Sequence, residues 1–313
     1  MSETELNKLK EAEAAFFDQV ADIRTVNGHI PMEADIRRAT KFIPKRTDKL
    51  PLIDPKMTDI LAGRARDQYI SLVAHQPGGR VLDIGCGSGW LALELGRRGQ
   101  HVDAYDLSPK AIALAKRMLA ENPYQDGFGE VNYYLQDATE VDLGEGKYDA
   151  VSGWSAFHHL PDVPAFMQRV RRALKPGGIV ATMDDMPRGR LEKGFEYLFE
   201  FMLPVYNYSY AQKLSIVFQL LTGQRKLPAE VFTPMEEAKH SSVYEIERIW
   251  REQFEVFINI QQNAFAGTPA MLLSGPDSFR YTAARALVGL DRLLCYLGIV
   301  NGFERIMIAR KRV

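Results

Sequence analysis

From Arg80 to Asp185 the chain alternates short apolar runs with longer amphipathic stretches. RVLDI (80–84), HVDAY (101–105), VNYYL (131–135), YDAVSG (148–153) and IVATMDD (179–185) have the length and β-branched content of buried strands. Between them, WLALELGRR, KAIALAKRMLAEN and a segment from about Val163 to Leu174 place apolar residues at helical spacing. Ser108-Pro109 is an N-cap and N1 pair, and Lys175-Pro176-Gly177-Gly178 is a stop. Strand–helix alternation of this kind demands a mostly parallel, doubly wound sheet with right-handed crossovers and helices on both faces.

The flanks read as helices. Residues 3–20 carry Leu6, Leu9, Phe16, Phe17 and Val20 behind a Ser2/Glu5 capping box. A second helix starts at Asp54-Pro55 and ends near Gln76-Pro77-Gly78-Gly79. After Asp185 the rhythm breaks: 187–235 is helical and aromatic-rich, a helix at about 242–253 and the strand EVFINI (255–260) resume the core pattern, and FERIMIARK (303–311) closes it as an edge strand. The segment 264–300 holds an amphipathic helix with Leu287, Leu290, Leu294 and Leu297. The predicted organisation is a helical cap over 1–76, a ligand-binding core over 77–186, a helical substrate-side insertion over 187–241, and the end of the core sheet over 242–313 with a helical insertion at 264–300.

Composition narrows the classes. Of 313 residues 46% are hydrophobic and 25% charged, the balance of a globular chain. Thirty-nine basic against 40 acidic residues provide no field for a polyanion, so nucleic acid is not an expected partner. Two cysteines, Cys86 and Cys295, exclude a disulfide framework and a Cys-rich zinc site. The N-terminus is charged and helical, unlike a secretory signal, and no run of ~18 apolar residues exists to insert in a membrane. A cytoplasmic protein is expected.

The densest chemical signal is Asp83-Ile84-Gly85-Cys86-Gly87-Ser88-Gly89, after a strand and before a helix. Alternating glycines let a ligand lie directly on main-chain atoms. A dinucleotide fingerprint needs glycine at position 90, where Trp90 stands, and a P-loop needs a Lys-Ser/Thr pair that is missing. Asp83 repels a pyrophosphate but attracts an ammonium or sulfonium. Asp106 ends the second strand, where an acid accepts hydrogen bonds from ribose hydroxyls, with Leu107 beside it. Asp137, with Ala138, ends the third strand, where a carboxylate meets the exocyclic amine of an adenine. Ribose, adenine and a cationic amino-acid tail together spell S-adenosylmethionine.

VLDIGCGSGW, DAYDLSP, LQDATEV, YDAVSGWSAFHHLPD and ALKPGGIV, in this order, resemble the class I S-adenosylmethionine-dependent methyltransferases. The resemblance covers roughly 80–186 and the final two strands. It implies a Rossmann-like sheet of seven strands, the last antiparallel. It implies that Gly85, Cys86, Gly87 and Gly89 underlie the methionine part with Asp83 in electrostatic reach. By the same resemblance Asp106 takes the ribose, Asp137 and Ala138 the adenine, and Gly153 and Trp154 lie near the methyl group.

Methyl transfer requires alignment, dry walls and sometimes a base; no metal is called for. His158 and His159 follow the fourth strand on the carboxyl edge of the sheet, as base candidates. His158 is expected in the pocket and His159 deeper in the core. Aromatic faces for the sulfonium or the substrate are Trp154, Phe157, Tyr206, Tyr208 and Tyr210, and His240 is a further candidate at the mouth. The leading expectation is methyl transfer to a small apolar or aromatic molecule of specialised metabolism, oxygen first among acceptor atoms. The alternatives are a nicotinamide-dependent oxidoreductase, or a non-catalytic cofactor-binding module whose insertions serve as a homodimer face.

Overall fold

The structure is a computed structural model; it describes residues 2–26, 54–186, 188–224, 233–235 and 243–312. Ser2 and Glu5 close the capping box, with the Ser2 amide donating to Glu5 Oε2 at 2.7 Å, and open α1 (Glu3–Val26). Asp54 caps the next helix by accepting from the Met57 amide at 3.1 Å. That helix runs as α2 (Pro55–Thr58), a π-helical turn (Asp59–Gly63) and α3 (Arg64–Val73).

The core follows the predicted alternation: β1 (Arg80–Ile84), α4 (Trp90–Gly96), β2 (His101–Asp106), α5 (Pro109–Ala120), β3 (Glu130–Leu135), β4 (Tyr148–Trp154), α6 (Val163–Ala173) and β5 (Leu174–Asp185). Ser108 and Asp162 cap α5 and α6 by accepting from the Ala111 and Ala165 amides at 3.0 and 2.9 Å, with Pro109 and Pro164 in the first turn of each helix. β5 begins earlier than predicted. Leu174 pairs with Tyr148, then Lys175-Pro176-Gly177-Gly178 bulges out before Ile179 pairs with Ala150. Lys175 anchors the bulge on Asp149 at 2.8 Å.

After β5 come α7 (Arg190–Met202), α8 (Tyr210–Leu221), α9 (Val243–Gln253), β6 (Phe254–Gln262), α10 (Gly267–Leu272), α11 (Asp277–Tyr296) and β7 (Glu304–Lys311). The 264–300 segment thus holds two helices. Of its predicted leucine stripe only Leu287 and Leu294 turn inward; Leu290 and Leu297 are exposed.

The seven strands lie in the order β3-β2-β1-β4-β5-β7-β6, and β7 runs antiparallel to both neighbours, so the segment expected at the edge lies inside the sheet and β6 forms the edge. One core, with Val81, Trp90 and Ile112, covers one face; another, with Leu82, Phe166 and Trp250, covers the other. The chain leaves β1 toward β3 and returns to β4 on its other side, so the strand order reverses between β1 and β4. Ligands of doubly wound sheets bind outside the carboxyl ends of the strands at that point.

Candidate cofactor and active site

At the reversal point the loop after β1 is held by its neighbours. The Cys86 amide donates to Tyr105 O at 3.0 Å, and the Gly87 amide donates to Asp106 Oδ2 at 2.7 Å. Asp106 Oδ1 accepts from the Ser108 amide at 2.8 Å, so one carboxylate ties the two loops together. With the Leu107 amide also on this carboxylate, a lone pair remains for a ribose hydroxyl. Burial pushes the Asp106 carboxyl above its ordinary pKa, only partly countered by the amides of Ser108, Gly87 and Leu107.

Gly85 has φ of 61°, and a Cβ there would meet Ala156 Cβ at 2.8 Å, so the backbone itself forms the floor. Gly89 does something else. Its carbonyl accepts from Tyr133 Oη at 2.8 Å and it faces Tyr133 and Ala115, away from the cavity. Asp83 and Gly153 likewise lie behind the wall rather than on it. Asp83 is buried; burial, then the nearby Asp106 charge, drive its pKa well up. Asp83 Oδ2 and Trp154 Nε1 are buried without a hydrogen-bond partner.

A cavity of about 260 Å³ opens over this floor. Gly85, Cys86, Gly87, Asp106, Leu107, Asp137, Ala138 and Trp154, all expected at the cofactor, line it together. Trp90 and Trp154 meet edge to face at 5.2 Å on one wall. The opposite wall is α1, through Lys10, Glu13, Ala14 and Phe17. Lys10 Nζ pairs with Asp137 Oδ2 at 2.6 Å, and Asp18 Oδ1 accepts from Ser108 Oγ at 2.6 Å. Burial raises the Asp137 carboxyl, but Lys10 and Thr139 outweigh it and leave the pKa below the ordinary value.

The histidine expectation is reversed. Phe157–His159 form one 3-10 turn, whose three residues per turn send consecutive side chains in three directions. Phe157 goes down into the core against Trp250, 5.6 Å between ring centres, and is no part of the cavity. His158 turns to β5, where its Nδ1 meets buried Asp184 Oδ1 at 2.7 Å, with Thr182 Oγ1 on the other carboxylate oxygen. His159 alone of the three lines the cavity. Its Nδ1 meets Glu13 Oε1 at 2.9 Å and Thr233 Oγ1 at 3.3 Å, and Phe17 packs edge-on at 5.2 Å. Glu13 Oε2 accepts from the Met235 amide at 2.9 Å. Burial raises the Glu13 carboxyl, yet His159 and the Met235 amide leave its pKa below the ordinary value.

Tyr206, Tyr208 and Tyr210 do not line the cavity; all three are exposed, between α7 and α8 and at the start of α8. His240 lies outside the described residues. The sequence reading missed Lys10, Glu13 and Met235. The first two lie on the α1 face that carries Phe17, at positions 10, 13 and 17, a helical spacing legible only once that face is known to meet the sheet edge.

The sheet order, the antiparallel β7 and a glycine loop at the reversal point define a Rossmann-like nucleoside-binding protein. The site fits an adenosyl amino acid on its own terms: an unpartnered buried carboxylate oxygen behind a side-chain-free floor, an acid for the ribose, and paired indoles. Residues 81–178 match the family model described as a methyltransferase domain. Over 125 residues the chain is 34% identical to a ubiquinone biosynthesis O-methyltransferase of Xanthomonas oryzae pv. oryzae, covering 39% of this chain and 50% of that one. The protein of the same name from Xylella fastidiosa is 39% identical over 115 residues, 36% of this chain and 44% of its own. The chain spans about half the length of the curated relatives it matches. Among solved structures, geranyl diphosphate C-methyltransferase from Streptomyces coelicolor A3(2), held with S-adenosyl-L-homocysteine, superposes with a TM-score of 0.51 at 17% identity. It covers 97% of this chain and 98% of its own, a likeness of fold. Residues 81–178 form a methyltransferase domain on the Rossmann-like sheet, and S-adenosylmethionine is the cofactor such a domain takes.

Proposed function

We propose that this protein transfers a methyl group from S-adenosylmethionine to a small apolar or aromatic acceptor, oxygen favoured, with His159 as general base. The pairing of His159 with Glu13 on the cavity wall carries the reading. When bound, the cofactor supplies a methyl carbon made electrophilic by its positive sulfur. Ionised Glu13, its Oε1 2.9 Å from Nδ1 of His159, would favour the tautomer protonated at Nδ1 whose Nε2 is basic, and would stabilise the imidazolium that forms when an acceptor hydroxyl gives up its proton.

Gly85, Cys86 and Gly87 would carry the methionine part, Asp106 with Leu107 the ribose, and Asp137 with Ala138 the adenine. Trp90 and Trp154 present ring surfaces to a cation, worth about 0.5–2 kcal/mol. Phe17, Leu160, Pro161 and Met235 supply apolar walls that exclude water and suit an apolar acceptor. Holding acceptor oxygen and methyl carbon in line contributes up to about 7–11 kcal/mol in an ideal near-attack geometry. The names of the curated relatives support oxygen over carbon or nitrogen.

The test is incubation with S-adenosylmethionine and a panel of phenols, alcohols and amines, reading S-adenosylhomocysteine. Product with phenols is expected. Cofactor binding without product from any acceptor leaves a binding module instead of an enzyme.

A further inference from the structure

Large apolar side chains exposed to solvent are concentrated in two places. Of twenty among the described residues, eleven lie in 191–221 and five in 290–299. These stretches are inverted with respect to water. α7 buries the carboxylates Glu192 and Glu196 and exposes Leu191, Leu198 and Met202. Glu192 accepts from the Asn301 amide at 2.8 Å, and Glu196 pairs with Arg188 at 2.5 Å.

In α8 the one buried residue is Lys213, whose ammonium donates to the carbonyls ending α7, Glu200 O at 2.6 Å among them. Tyr210, Leu214, Val217, Phe218 and Leu221 form a helical stripe facing outward. On α11, Asp291 is buried and accepts from the Phe265 amide at 2.8 Å, while Leu293 and Leu297 are exposed and Tyr296 is 87% exposed. α7 and α11 both pack on α10, which makes the two stretches neighbours.

Helices that turn acids inward and leucines outward match an apolar exterior, because water would select the opposite faces. Lys213 is the sole charged residue of 201–224, and 293–303 has none. Beside the apolar end of α11, a groove is lined by Lys56, Arg285 and Arg292. The carboxylates in that groove are already ion-paired, Asp54 with Arg280 at 2.7 Å and Asp59 with Arg66 at 3.0 Å. Arg292 and Tyr296 lie about one helical turn apart on α11, so the groove cations adjoin the apolar end of the helix. Tyr206, Tyr208 and Tyr210 add exposed rings of the kind that favour a membrane–water interface.

We propose that α7, α8 and the C-terminal end of α11 dock the protein on an anionic phospholipid bilayer, apolar side chains entering the acyl boundary and Lys56, Arg285 and Arg292 meeting the phosphates. The charge pattern favours this partner over a second copy of the chain. A second copy brings a face whose carboxylates are buried or already paired and leaves the groove cations uncompensated, whereas an anionic surface complements both. The element lies on the bilayer: at 12 residues α8 spans about 18 Å, short of a ~30 Å hydrocarbon core.

Vesicle flotation of the full chain tests the proposal, with phosphatidylcholine vesicles compared with phosphatidylcholine–phosphatidylglycerol vesicles. The protein is expected to float with the anionic vesicles and much less with the neutral ones, and added salt should weaken binding. Leu214→Ser/Phe218→Ser/Leu221→Ser should lower the bound fraction about tenfold or more, and Arg285→Glu should erase the anionic preference. Unchanged S-adenosylhomocysteine binding certifies the fold of each variant, since these residues lie outside the cofactor cavity. Should the triple variant not fold, Tyr296→Ser/Leu297→Ser makes the same test. Wild-type protein that floats with neither vesicle, or floats equally well after the apolar substitutions, overturns the proposal. So does a dimer in sedimentation equilibrium that those substitutions convert to monomer without any vesicle binding, which assigns the face to a second copy.

Discussion

Asp83 is held where its charge is least welcome, buried and near a second carboxylate. A carboxyl whose folded pKa is raised contributes stability while protonated, at acid pH, and loses it as pH rises, so at neutral pH Asp83 weighs against the unliganded fold. Asp83→Asn should therefore raise unfolding stability by about 1–3 kcal/mol while weakening S-adenosylmethionine binding. Thermal unfolding with and without cofactor reads both effects, and a variant that loses stability and keeps its affinity removes the electrostatic role. At Asp106, substitution by alanine deletes the tie between the loops as well as the ribose acceptor, and cofactor affinity should drop by roughly 1–3 kcal/mol. His159→Gln should slow turnover by roughly 100-fold or more at nearly unchanged cofactor affinity. His158→Ala should act on stability instead, by about 3 kcal/mol or more, since it strands Asp184 in the core. If His158→Ala slows turnover without loss of stability and His159→Gln does neither, the two roles are wrongly divided.

The site's second half is an element, α1, tied down by Lys10 to Asp137, Glu13 to His159 and Asp18 to Ser108. Glu13 and Asp137 have pKa values lowered in the fold, so their contribution is present above the ordinary carboxylate pKa and lost as pH falls through the lowered values. Protection factors in α1, each referred to the intrinsic exchange rate at the same pH, should therefore fall on acidification below about pH 4, ahead of those in β1 and β4. Equal protection of helix and sheet through that range contradicts the tethers. The sheet was legible in the sequence because buried parallel strands read as apolar runs and because Ser108-Pro109 announces α5. The contribution of α1 was not: a helix that ends at Val26, far before the glycine loop at Gly85, reveals its partner only through tertiary packing. The His158/His159 assignment went astray for a local reason, since a 3-10 turn gives neighbouring side chains different faces and no periodicity announces which one points out. The leucine stripe of α11 misled because helical spacing marks a face without saying whether water or protein meets it.

At the scale of the whole molecule, the sheet reversal sets the floor of the cavity, α1 closes one side, and the helices after β5 build a surface of opposite character to the rest of the exterior. The central claim is that the floor and α1 together hold an adenosyl amino acid. Hydrogen exchange of the full chain titrated with S-adenosylhomocysteine, with nicotinamide dinucleotide as the control, addresses it directly. The prediction is saturable protection at the amides of 85–88 and through the Lys10–Phe17 face of α1, with no response to the dinucleotide. Protection by the dinucleotide at that loop, or adenosylhomocysteine binding that leaves both the loop and α1 unaltered, contradicts it.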